Sequence, residues 1–124
     1  MRTRNLTLAI ILMAAFCLVA FAADFNGTWK ASIDTQVGMQ NYTFTFKVEG
    51  EKLTGKAKSE FAMTETEITE GTVKGDDISF VENLNFDGMP LRIVYKGKIS
   101  GDEIKFSRNV ADIADEPFVA KRSK

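Results

Sequence analysis

Residues 42–59, YTFTFKVEGEKLTGKAKS, decide the fold. Tyr42, Phe44, Phe46 and Val48 alternate with Thr43, Thr45, Lys47 and Glu49, the period of a strand with one face on a core and the other in water. Beyond Gly50 the alternation resumes, with Leu53, Gly55, Ala57 and Ser59 on one face and Thr54, Lys56 and Lys58 on the other. Glycine at a tight turn supplies the positive φ that such hairpins demand. The stretch therefore reads as two antiparallel strands joined at VEGEKL (48–53).

The same device recurs at VKGDDI (73–78) and ISGDEI (99–104), each with a Gly and acidic residues between two apolar positions. Three hairpins thus turn at one end of the molecule, and the connections expected at the other end are 37–40, 62–66, 87–89 and 111–116. Upstream, Phe25, Gly27, Trp29, Ala31 and Ile33 form the inner face of a first strand. Downstream, strands are expected over 67–74, 77–86, 90–100, 103–110 and 117–122. No stretch has helical period. Strands with one apolar face each, and no helix to cover it, bury that face by closing on themselves. The expected fold is all-β, an eight-stranded antiparallel up-and-down barrel; a two-sheet sandwich with the same inward residues is the alternative. Eight strands enclose an interior that is just filled by side chains or holds one small ligand.

Residues 1–22 have the layout of a secretory signal peptide: Arg2 and Arg4, an apolar stretch from Leu8 to Ala20, then small residues at Ala20, Ala22 and Ala23. Cleavage is expected after Ala22, which leaves 23–124 as one barrel domain, periplasmic or secreted, with no stable membrane insertion. An uncleaved anchor is the other reading of the apolar stretch. The only cysteine, Cys17, departs with the signal, so packing rather than disulfides must hold the mature domain. The mature chain has 14 Lys and Arg (the chain's 16 less Arg2 and Arg4) against 17 Asp and Glu, a net charge of −3. Its scattered lysines lack the basic patch that nucleic-acid binding requires. There is no histidine, which removes the commonest zinc ligand and the usual general base near neutral pH. Asp76 with Asp77 and Asp102 with Glu103 sit in tight turns without the spacing of a calcium loop, so neither metal nor cofactor is expected.

FNGTWK (25–30), with Gly27 and Trp29 on the inner face, resembles the opening of the calycins, the lipocalins and fatty-acid-binding proteins. PFVAKR (117–122) resembles their last strand, where a basic side chain can cover the first-strand tryptophan. YKGKISGDEIKF (95–106) is similar to segments of small exported bacterial lipocalin-like domains. The resemblance spans nearly all of 25–122 and implies a barrel that holds a small apolar ligand. The chain departs from fatty-acid-binding proteins in having no ten-strand count and no two-helix lid, and from lipocalins in having no terminal helix.

Charged residues break the inward pattern. Parity with Ile78, Phe80, Leu84 and Phe86 puts Glu82 inside, Ile104, Phe106 and Val110 do the same for Arg108, and Phe118 and Ala120 for Arg122. A charge in an apolar interior must find a partner, water or a ligand. Arg108, with Arg122 and the Tyr95 hydroxyl, would hold a carboxylate bidentately, in an interior lined by Trp29. The competing reading is a structural Glu82–Arg108 ion pair, or a bulge that turns either residue outward. With Glu82 as the one interior carboxylate, an enzyme lacks an acid–base pair. Met39, Met63 and Met89 fall in three different connections, with Phe86 and Ile113 nearby; they form a portal or partner rim, or they plug the barrel mouth. The expected function is that of an exported, non-catalytic protein binding a small apolar or amphipathic ligand, carboxylates included. The alternative is a filled barrel that docks a protein partner through its methionine-bearing end.

Overall fold

A computed structural model describes residues 24–60 and 63–123; the expected signal peptide lies outside the described residues, as does the side chain of Phe86. Nine strands run in order: β1 (Gly27–Thr35), β2 (Gly38–Glu49), β3 (Lys52–Ser59), β4 (Thr64–Glu67), β5 (Thr69–Lys74), β6 (Asp77–Phe86), β7 (Met89–Ser100), β8 (Glu103–Val110) and β9 (Ala114–Arg122). Each pairs antiparallel with its neighbours, and β1 joins β9 to close the ring. β4 and β5 make one broken stave, so the molecule is a closed eight-stranded barrel with no helix among the described residues.

The break replaces the continuous strand expected over 67–74. Ile68 leaves the ladder, buries its side chain and donates its N–H to the Gly55 carbonyl at 3.0 Å. Glu70 takes a φ of 53°, and the β5–β6 register slips between Thr69 and Thr72, as at a β-bulge. The strands also reach further toward the mouth than alternation indicates. Met39 and Met89 therefore stand on strand ends, and the connections beside them shrink to the turns Gln36–Val37 and Asp87–Gly88. A turn residue at a strand end need not be apolar, so alternation stops before pairing does.

The registers decide how full the interior is, because small residues stand opposite large ones. Gly55 faces Phe46, Ala57 faces Phe44, Ala31 and Ser59 both face Tyr42, and Gly97 faces Phe106. A Cβ on Gly97 would lie 2.6 Å from the Phe106 ring, so only glycine lets that ring lie against the strand. Phe44 sits at the centre, its ring centroid 5.6–6.2 Å from those of Tyr42, Phe46, Phe80, Tyr95, Phe106 and Phe118. The middle of the barrel is thus packed solid, each large ring contributing roughly 1.5–3 kcal/mol of burial.

The hairpin end is closed. Trp29 is fully buried and donates its indole N–H to the Phe25 carbonyl at 2.9 Å. Arg122 lies across it, with the guanidinium carbon 4.3 Å from the ring centroid. Its N–H groups reach the carbonyls of Asp24 (2.8 Å) and Asn26 (3.0 Å) and the Asp102 carboxylate (3.0 Å). The inward parity expected for Arg122 ends where β9 ends, and the side chain folds over the opening instead.

The other end is looser. Registered β1–β9 pairs run only from Trp29↔Arg122 to Ala31↔Ala120. The Ser123 N–H donates to the Thr28 carbonyl, so even positions of β1 and odd positions of β9 face this seam. Continued in register, Asp34 would meet Pro117, which has no N–H to give. On the opposite side β4 pairs with β3 alone, leaving the upper edge of β6 without a ladder.

Candidate functional site

Four polar side chains cross the inner wall on four consecutive strands: Glu82 (β6), Tyr95 (β7), Arg108 (β8) and Glu116 (β9). The registers Tyr95↔Arg108 and Arg108↔Glu116 place them side by side. The Tyr95 hydroxyl donates to Glu82 Oε1 at 2.8 Å and accepts from Arg108 Nη1 at 2.9 Å. Arg108 Nε donates to Glu116 Oε1 at 2.8 Å. On the facing wall the Arg108 guanidinium carbon lies 5.2 Å from the Tyr42 ring centroid.

Burial dominates the electrostatics. It pushes the Glu82 carboxyl above the usual carboxylate range, against the opposing effects of the Tyr95 hydrogen bond and the Arg108 charge. Burial, then the Glu82 charge, lifts the Tyr95 hydroxyl well above its ordinary value and raises that of Tyr42 as well. For Arg108 burial penalises the charge, but Tyr95, Tyr42 and Glu116 outweigh it, and the guanidinium stays protonated.

The arrangement differs from the direct Glu82–Arg108 ion pair that sequence suggests, because the Tyr95 hydroxyl stands between the two. The partner of Arg108 is Glu116, a second buried carboxylate. It lies two residues before Phe118 and shares its inward parity, a signal hidden when the last strand is started at Pro117. Arg122 and Trp29 do not join the group: Arg122 is six residues beyond Glu116 on β9, about 20 Å at ~3.3 Å per residue.

Above this row the mouth holds a cup of about 270 Å³. Leu84, Leu91, Ile93 and Val110 form apolar wall, and Tyr42, Arg108 and Glu116 line its base. Tyr95 and Glu82 are sealed beneath, 0% and 1% exposed. Of the expected rim residues Ile113 lines the cup, whereas Met39, Met63 and Met89 stand outside it, 63%, 81% and 64% exposed. Among the described residues no three acidic or cysteine side chains converge as a metal site would require. No protein-family model matches the chain, and no curated protein is significantly similar to it. Fold and site together define a closed antiparallel eight-stranded barrel, consistent with the calycin or lipocalin-like architecture, with a filled middle and a cupped mouth.

Proposed function

We propose that the protein is an exported, non-catalytic, lipocalin-like binding protein whose ligand sits in the mouth cup. The observation that carries this reading is an apolar cup that ends on a desolvated polar base of Arg108, Glu116 and Tyr42. Export is supported by the arrangement of residues 1–22. At about 270 Å³ the cup falls just below the common range for ligand pockets, roughly 300–1,000 Å³, so the ligand is small. The ring stack under the cup leaves no channel for a long acyl chain. The head group follows from the pairing at the base. A ligand carboxylate would have to displace Glu116 from Arg108 and strand it unpaired, at a cost of about 3–5 kcal/mol. A neutral head that donates to Glu116 and accepts from Arg108, such as an alcohol or primary amide, meets no such cost.

The test is native mass spectrometry and ligand-observed NMR against medium-chain alcohols, amides and acids. Alcohols or amides should be retained, acids should bind more weakly, and Leu91→Trp, which fills the cup, should abolish retention without changing the circular dichroism. Absence of binding across all three classes, or binding indifferent to Leu91→Trp, would reject the reading.

A separate observation favours a second role for the same end. Val37, Met39, Met63, Met89 and Ile113 are between 63% and 81% exposed, the setting of a rim that docks a protein partner. Replacing Met39, Met63 and Met89 together by Ser should then abolish capture of that partner and leave the barrel folded.

A further inference from the structure

Among the described residues six large apolar side chains are more than a third exposed, and five of them form the mouth rim; the sixth, Val119, borders the unladdered β1–β9 seam. The rim's exposed charge is predominantly acidic. Asp34, Glu60, Asp87, Asp112 and Asp115 stand on the mouth connections or the strand residues beside them, and all are exposed. Two of the three cations of the same stretches are already engaged. Arg108 is buried against Glu116 and Arg92 is held by both oxygens of Glu70 (2.6 and 3.1 Å), while Glu65 is bound by Lys56 (3.2 Å) and leaves Lys58 as the one exposed cation of these stretches outside an ion pair among the described residues. At the hairpin end, by contrast, acids alternate with Lys47, Lys52, Lys74, Lys98 and Lys105.

From this juxtaposition of a methionine ring and an acidic rim, we infer that the mouth docks a cationic amphipathic peptide segment of a partner protein. The apolar side chains of that segment would lie on Met39, Met63 and Met89, and its Lys and Arg side chains against the five acids. Methionine adapts to apolar groups of varied shape, so the ring accepts such a segment without demanding one sequence. A second copy of this chain would bring the same acidic rim and be repelled, and an anionic lipid surface would be repelled for the same reason. Complementary charge then selects the partner and speeds encounter. The inference rests on the partner-rim reading above and narrows it.

The experiment is fluorescence anisotropy on the protein as its host processes it. The probes are a labelled Lys/Leu amphipathic helical peptide and its Glu/Leu analogue. The Lys/Leu peptide should bind, losing at least tenfold in affinity between low and physiological salt, and the Glu/Leu peptide should not. Asp34→Asn, Asp87→Asn, Asp112→Asn and Asp115→Asn combined should weaken binding at least tenfold, and so should M39S/M63S/M89S. Asn tolerates the left-handed backbone of Asp87 and Asp112, so native circular dichroism is expected of the Asn variant. Binding blind to peptide charge would overturn the cationic inference and leave the rim reading standing. No binding of either peptide, or binding untouched by the Met variant, would overturn both. Co-sedimentation with phosphatidylglycerol vesicles in preference to the peptide would also overturn it, in favour of a membrane surface.

Discussion

Breaking the Arg108–Glu116 pair from one side should cost far more than removing both partners. The two side chains are 6% and 8% exposed and 2.8 Å apart, so solvent screens them little. With an effective dielectric near 20, the lost attraction is about 6 kcal/mol. Relaxation reduces this, and one-sided loss of a buried pair typically costs ~3–5 kcal/mol. For Glu116→Leu the figure should fall at the low end, about 3 kcal/mol, because Glu82 lies two hydrogen bonds from Arg108, through the Tyr95 hydroxyl, and offsets part of the stranded charge. Arg108→Leu with Glu116→Leu removes the pair together and leaves Tyr95 its bond to Glu82, whose buried carboxyl, without the Arg108 charge, takes up a proton more readily instead of standing as an unpaired anion. The double variant should lie within about 1 kcal/mol of wild type. The assay is urea unfolding followed by Trp29 fluorescence, where ~3 kcal/mol displaces the midpoint by more than about 1 M. A loss in the double variant equal to the sum of the Glu116→Leu and Arg108→Leu losses, hence a coupling energy near zero, would refute the claim that the pair is desolvated and mutually compensating.

Glu82→Gln tests the raised carboxyl. A group whose folded pKa exceeds its unfolded value contributes full stability below the unfolded value and loses it as pH rises through the folded one. Wild type should therefore lose stability relative to Glu82→Gln above pH 4.5, by about 1.4 kcal/mol for each unit of elevation, and the curves should converge in acid; parallel pH profiles would refute it. Amide exchange should divide β1: the Lys30 amide, inside the registered β1–β9 pairs, should be protected, and that of Asp34 should exchange orders of magnitude faster. Pro117→Val restores a donor at the seam and should slow Asp34 exchange, whereas equal protection at Lys30 and Asp34 in wild type would mean the seam is closed. Arg122→Ala removes the cover of Trp29 and caps on two carbonyls, and should cost about 1–3 kcal/mol with a red-shifted Trp29 emission; an unchanged spectrum would show that Arg122 does not shield the indole.

The staves were legible because alternation and turn chemistry point the same way. At 42–59 every second residue is apolar and Gly50 sits at the turn, so strand, hairpin and inner face follow from one reading. Legibility failed where a local pattern stops short of the pairing it belongs to. Glu116 shares the parity of Phe118, but Pro117 and the polar run before it conceal that β9 begins at Ala114. Arg122 shares the same parity and does not lie inside, since parity says nothing once the neighbouring wall ends. The break at Ile68 has no signal in TETEITEG, because a bulge changes the count of residues between partners and leaves composition alone.

The fullness of the interior is the feature least accessible to a single strand, since it depends on what stands opposite what. Pairing of Gly55, Ala57 and Gly97 with Phe46, Phe44 and Phe106 converts eight staves of mixed size into one solid layer. With the middle solid, the proposed binding role can be served only at an end. The hairpin end is capped by Arg122 over Trp29, so the mouth is what remains. There the two seams meet the cup: β9 turns into an edge at Pro117, and β4 leaves β6 unladdered. The ladder is therefore weakest where the walls are apolar and the base is charged. On the binding role proposed above, recognition at this end would rest on side chains beside these two seams, while the packed layer beneath fixes Arg108 and Glu116 in place.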